Sequence, residues 1–316
     1  MGRHSGSDRS GTIKYIWIGI LFLLVAGSTY LAANKFFAQQ SKPQTIEQSS
    51  QTESSTQPET ETSEKISTAT TSSTISTSTS STQSTENTQK PQLDPAELLA
   101  NAGQVYYGVY YFKNNQELSS NNSAPTVSAS VIKVFIMEYA FTKANPAEVV
   151  QGRTLNDWVV PMIQQSDNSA TNVLIDYFGM DTLNQFFQAQ GYQDTRLERK
   201  MLDNAARSQG KENYTSLNDC MAFLKKLYQQ QGAYPQSTML EIMKGQTVRT
   251  KIPSKLTGEI TVANKTGELD NAENDIGLVL TEDNPFALVV LTKNMTSVAG
   301  IRNAIGDFSL AATQIK

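Results

Sequence analysis

Apolar positions in this chain fall into two regimes, separated by a long stretch with almost none. From Tyr15 to Ala33 the run YIWIGILFLLVAGSTYLAA carries no charge. As a helix it is long enough to cross a hydrocarbon layer of about 30 Å. From about Gln39 to Gln92 the chain is mostly Ser, Thr, Gln and Glu, and between Ser67 and Thr82 only Ala69 and Ile75 are neither Ser nor Thr. Such a segment buries too little apolar surface to offset the entropy of ordering, so it reads as a disordered spacer.

Periodic patterning returns at Leu93. Pro95–Ala102 reads as a helix, and Val105–Phe112 as a strand closed by the turn residues Asn114 and Asn115. Val131–Phe141 is apolar enough for a buried helix. From Thr154 to about Gly245 the spacing is helical: Leu155, Trp158, Val159 and Met162, then Val173, Leu174, Tyr177 and Phe178, then Met221, Leu224, Leu227 and Tyr228. Gly179 and Gly191 stand where helices should stop. After Pro253, Ile260–Lys265, Ile276–Leu280 and Phe286–Thr292 read as strands, and Val298–Ile315 as a last helix. Strand first, helices in the middle, strands and helix last: this order predicts an α/β (α+β) fold, one sheet built from both chain ends with an inserted all-helical lobe.

Charge adds an orientation. Arg3, Arg9 and Lys14 precede the first apolar run and Lys35 follows it. The positive-inside bias predicts a cytoplasmic tail (1–14), a transmembrane anchor (15–34), a linker (35–92) and an extracellular folded domain (93–316). A cleaved signal peptide is the rival reading, although its apolar region is usually shorter. No cysteine follows the run, which excludes a lipid-modified cysteine there. The net charge of −4 argues against nucleic acid as a partner. One cysteine, Cys220, permits no internal disulfide, and with His4 as the only histidine no zinc cluster can form. No metal or cofactor is expected, so any hydrolytic chemistry must run on lysine, serine and carboxylate.

Three short polar motifs supply such groups. In Ser130-Val131-Ile132-Lys133 the hydroxyl and the amine share a helix face at i and i+3. A helix starting near Ser130 favours a developing alkoxide at its positive end. Lys133, among Val131, Ile132, Val134, Phe135 and Ile136, should lose proton affinity through burial and act as a base, or else place its charge beside the serine oxygen. This motif alone is expected about once by chance in a chain this long. In Ser166-Asp167-Asn168, Ser166 is placed to relay a proton to a leaving nitrogen, Asn168 to bond a substrate amide, and Asp167 to cap the backbone. An ordinary helix cap would use the same residue types. Lys265-Thr266-Gly267 ends a predicted strand: positive charge, a hydroxyl for a carboxylate, and room for close approach. All three in one order are much harder to obtain by accident.

With these motifs, the continuation Glu268-Leu269 and the run Glu273-Asn274-Asp275-Ile276-Gly277, the chain from about Gly103 to Lys316 resembles the serine penicillin-recognising enzymes, the class A β-lactamase branch most of all. The resemblance implies a β-lactamase/transpeptidase-like fold, an antiparallel sheet with flanking helices and the site between two lobes. It implies Ser130 as the acylated nucleophile, Lys133 in proton transfer and Ser166 as proton donor to the leaving nitrogen. Asn168 would orient the substrate, Lys265 and Thr266 would bind its carboxylate, and the N–H groups of Ser130 and Glu268 would form the oxyanion hole. The partner is then a β-lactam or a peptidoglycan stem peptide, met by a membrane-held monomer.

Three departures bear on turnover. The glutamate that activates water in the class A branch has its nearest counterpart in Glu198, within Arg196-Leu197-Glu198-Arg199-Lys200-Met201-Leu202-Asp203. It stands one residue out of register, Arg199 taking the catalytic position, and a surface ion pair with Arg196 or Arg199 is the competing role. The stretch from Lys133 to Ser166 is short for the branch. Glu268 brings a negative charge close to the expected substrate carboxylate. A class A-like β-lactamase is the leading expectation. A D-Ala-D-Ala-type peptidase or slow-deacylating penicillin binder is the second, and a non-catalytic wall-facing binding protein the third.

Overall fold

The computed structural model describes residues 93–120 and 124–315. The tail, anchor and linker expected in residues 1–92 lie outside them. Among the described residues no helix is long and apolar enough to cross a membrane.

The fold opens with α1 (Ala96–Asn101), β1 (Ala102–Tyr111) and β2 (Glu117–Ser119). β3 (Thr126–Val127) leads into a 3-10 turn (Ala129–Ile132) and then α2 (Lys133–Lys143). The hairpin β4 (Val149–Val150) and β5 (Arg153–Thr154) precedes α3 (Leu155–Gln164), α4 (Asn168–Phe178) and α5 (Met180–Ala189). α6 (Asn204–Ser208), β6 (Tyr214–Thr215), α7 (Leu217–Gln229) and α8 (Gln236–Lys244) complete the insertion. A second 3-10 turn (Ile252–Lys255), β7 (Thr261–Leu269), β8 (Ala272–Leu280), β9 (Phe286–Met295) and α9 (Val298–Ala312) close the chain.

The main sheet runs β2-β1-β9-β8-β7, antiparallel throughout. β1 lies against β9, with Tyr107 opposite Val290 and Val109 opposite Leu288, so both ends of the domain share one sheet as the element order predicts. β9 is apolar on both faces because both are covered. Ala287, Val289 and Leu291 pack into the core of the helical lobe, whereas Phe286, Leu288 and Val290 pack with Ile301, Ile305 and Phe308 of α9. Each of these β9 side chains is fully buried; cutting Leu288 back to alanine should cost about 2–5 kcal/mol. The hydroxyl of Tyr111 donates to Ala312 O at 2.9 Å, tying α9 back to β1.

Local signals explain the helix limits near the cleft. Thr154 and Asp157 form a reciprocal capping box at the start of α3. Asp167 caps α4, its Oδ1 accepting from Ser169 N at 2.7 Å and Ala170 N at 3.0 Å. Gly179, at φ 82°, ends α4 in a conformation that side chains resist.

At the cleft, two boundaries differ from the sequence pattern. The stretch expected to be one helix from Val131 begins as a 3-10 turn, and α2 starts only at Lys133. Ala129, at φ 47°, bends the chain too sharply for an α-helix to begin earlier. Lys265-Thr266-Gly267 lies inside β7 rather than at its end, because β7 keeps pairing with β8 through Leu269↔Ala272.

Candidate active site

β7 is an edge strand, and its open side faces the turn that carries Ser130. A Cβ on Gly267 would lie 2.8 Å from Ser128 O and 3.1 Å from Ser130 N, so only glycine lets strand and turn approach this closely. The turn itself is clamped. Asn274 Nδ2 on β8 donates to Val127 O at 3.0 Å and Ser128 O at 3.3 Å, and Ser128 N donates to Asn213 O at 2.9 Å. These bonds hold Ala129 in its left-handed conformation, a local cost of about 1–3 kcal/mol. Sequence reasoning quoted Asn274 but gave it no role. It stands between Glu273 and Asp275 in the polar first half of β8, where nothing local sets it apart.

Lys133 opens α2 and is completely buried. Its ammonium has three partners: Ser166 O at 2.8 Å, Ser166 Oγ at 3.2 Å and Asn168 Oδ1 at 2.8 Å. Ser166 follows α3 at φ 58°, which turns its carbonyl back toward the lysine. From the opposite lobe Lys265, equally buried, donates to the same Ser166 Oγ at 3.0 Å and to Thr266 O at 2.8 Å. One hydroxyl therefore bridges two lysines from two lobes. Burial lowers the Lys133 amine to about 7, against the opposing charge of Asp167. Burial, and then the charge of Lys133, push Lys265 well below the usual lysine range. A substrate carboxylate would restore its charge.

Above these lysines the cleft has two hollows that share Ser130, Asn168 and Glu268. One continues to Gln165, Ser166, Val248 and Thr266. The other continues to Arg199, Met201, Leu202 and Asn213. The Ser130 hydroxyl makes no hydrogen bond to another described residue. Such contacts commonly tighten only when substrate is bound.

The structure brings together Ser130, Lys133, Ser166, Asn168, Lys265, Thr266, Gly267 and Glu268, but not Glu198. The Glu198 carboxylate takes a hydrogen bond from Arg196 Nε at 2.8 Å and lines neither hollow. Of the two roles the sequence left open to Glu198, the structure shows the ion pair, with an arginine that is itself stacked over Tyr214. Arg199 does border the cleft, but its guanidinium is held on Glu212 Oε2 through Nε at 2.9 Å and Nη2 at 2.7 Å. Glu268 is tied to Lys251 at 2.8 Å and Arg302 at 3.2 Å. Lys251 and Arg302 were missed in the sequence because both lie far from every motif.

Comparison with known proteins places the fold. The β-lactamase of Sphaerobacter thermophilus is 24% identical over 69% of this chain and 92% of its own, with a TM-score of 0.60. For the β-lactamase of Chitinophaga pinensis the values are 17%, 69%, 95% and 0.62. For PBP-A they are 22%, 69%, 93% and 0.57. These likenesses establish the shared fold. No curated protein matches the chain. A profile described as the beta-lactamase enzyme family matches residues 146–315, more than half of the sequence. The Ser130 turn and Lys133 lie before that stretch and the Lys-Thr-Gly strand within it, Ser166 Oγ joins the two lysines, and the chain belongs to the beta-lactamase enzyme family.

Proposed function

We propose that the domain opens β-lactam amides through an acyl-enzyme on Ser130. Ser130 Oγ attacks the amide carbonyl carbon and gives its proton to Lys133 Nζ. The carbon–nitrogen bond breaks, Ser166 Oγ passes a proton to the leaving nitrogen and is resupplied from Lys133, and the acyl group remains as an ester. Lys265 and Thr266 take the substrate carboxylate, and Asn168 its side-chain amide. The observation that carries this reading is the convergence of Lys133 and Lys265 on Ser166 Oγ beneath a cleft lined by Ser130. A lysine lowered to about 7 by burial is matched to proton transfer near neutral pH.

A second reading has its own support: the ester forms but is released slowly, as in a penicillin-binding protein. Among the residues lining the two hollows the only carboxylate is Glu268, which is already ion-paired. A fluorescent penicillin tests both. The wild type should become covalently labelled and Ser130→Ala should not. Label that decays within seconds supports hydrolysis, label that lasts for hours supports the second reading, and no label at saturation overturns both.

The proposal extends to placement. The uncharged run Tyr15–Ala33 and the Ser/Thr-rich stretch after it support a single-pass anchor with the enzyme held outside, where β-lactams and wall peptides are met. Protease added to intact cells should remove the domain; a domain that stays protected until lysis would overturn this placement.

A further inference from the structure

A glutamate directly follows Lys265-Thr266-Gly267, and the fold surrounds it with charge. Lys251 Nζ lies 2.8 Å from Glu268 Oε1 and 2.8 Å from Glu273 Oε2. Arg302 Nη2 lies 3.2 Å from that same Glu268 oxygen and 2.7 Å from Glu273 Oε1. Two cations and two carboxylates thus close a ring whose formal charges cancel. They are not equally sheltered. Side-chain exposure is 0% for Lys251, 3% for Glu273, 30% for Arg302 and 42% for Glu268. The most exposed charge of the ring is therefore negative. Burial works against ionisation of Glu268, but the hydrogen bond and charge of Lys251, with Arg302, hold its carboxyl below the usual range.

Position makes this charge relevant to substrate. Strand alternation puts the Glu268 side chain on the same side of β7 as Thr266. Glu268 borders both hollows around Ser130, which places its charge beside a bound donor. Both of its ion pairs use Oε1, and Oε2 has no partner among the described residues. The cations on the far wall do not offset it: Glu212 pairs with both Arg199 and Arg207, and Asp270 pairs with Arg207 as well.

We propose that Glu268 makes the cleft selective for acyl donors that carry an ammonium group, and against donors that carry a second carboxylate. This inference rests on the acyl-transfer reading of Ser130. Lys265 draws the one carboxylate and Glu268 Oε2 accepts an N–H from the ammonium, so the preferred donor is a zwitterion. Had the ring been absent, an unpaired glutamate would repel every anionic donor alike. With the ring, Lys251 and Arg302 weaken that field without cancelling it at the cleft, because the most exposed charge of the ring is the one on Glu268 itself.

The test uses three penicillins that differ in the acyl side chain: ampicillin with an ammonium, benzylpenicillin with no charge, carbenicillin with a second carboxylate. Acylation rate constants are measured on the full chain by competition with a fluorescent penicillin. Wild type should be acylated about tenfold faster by ampicillin than by carbenicillin, with benzylpenicillin between them. In Glu268→Gln the ratio should fall to within about twofold. An unchanged ratio in the variant, or no preference in wild type, overturns the proposal. Should the variant be unreactive, wild type alone decides. Its preference should shrink as salt rises from about 0.05 M to about 0.5 M, because an exposed charge is screened, and a salt-independent ratio overturns the proposal. If none of the three penicillins acylates wild type, the acyl-transfer reading itself fails, which is a different result from acylation without preference.

Discussion

The two walls of the cleft are built on different principles. On the wall that joins α2, α4 and β7, buried ammonium groups meet hydroxyl and amide oxygens, and charge is held where a proton must move. On the wall from Arg196 to Asn213, the charged groups that border the cleft are neutralised by neighbours, Arg199 by Glu212 and Arg207 by Glu212 and Asp270, and behind them Glu198 pairs with Arg196. Acylation and release make separate demands. Acylation needs a nucleophile, a base and a proton donor; release needs a carboxylate free to activate water. On the proposed mechanism the candidates for the first set meet around Ser166 Oγ, whereas Glu198 and Glu268, the carboxylates nearest in sequence to a role in the second, are ion-paired. The comparison teaches that residues sufficient for the first half-reaction can be present without the geometry for the second.

The sharpest way to break this contrast is at its best-equipped point. Lys133→Met keeps the bulk and removes the base, and should slow acylation about 10³-fold in a stopped-flow assay with a chromogenic β-lactam; a loss below tenfold would move the base elsewhere. Ser166→Ala should cost about 10²-fold, because it removes the one oxygen on which both lysines meet. The pH profile sharpens the same wall. Lys133 acts as a base only when neutral, and its folded value is lowered to about 7. Acylation should therefore rise about tenfold from pH 6 to pH 8 and level off above, whereas a flat profile would place the proton elsewhere. The smallest effect belongs to the other wall. Glu198→Gln should change the lifetime of the acyl-enzyme less than about twofold, since only a half-buried pair with Arg196 is lost. A lifetime prolonged tenfold would give the glutamate a catalytic role and erase the contrast.

Much of the architecture was legible in the chain. The continuous apolar run Phe286–Leu291, bounded by turn residues, marks a strand buried on both faces, and it becomes the centre of the sheet. The order of strands and helices predicted a sheet shared by both ends, and β1 paired with β9 delivers it. The three motifs were legible because each is contiguous, and Asp167 caps α4 as its residue type suggests. The boundary at Ala129 was hidden, since an alanine with positive φ leaves no compositional mark. The clamp of Asn274 and Asn213 on the nucleophile turn joins residues more than 80 positions apart, which no local pattern reveals. The Lys251–Arg302 ring around Glu268 was hidden for the same reason.

By itself the sequence determined which groups are available. It offers no histidine within the folded domain, one cysteine, a Ser-x-x-Lys pair, and a lysine ahead of a glycine that allows close approach. It also settled the element types, because helix and strand periods are local properties of the chain. Only the tertiary structure decided which charges are free and which are spent. The choice of Arg196 as the partner of Glu198, and of Lys251 and Arg302 as partners of Glu268, depends on distances between segments that meet only after folding. Electrostatic interaction falls with separation in space and takes no account of separation along the chain.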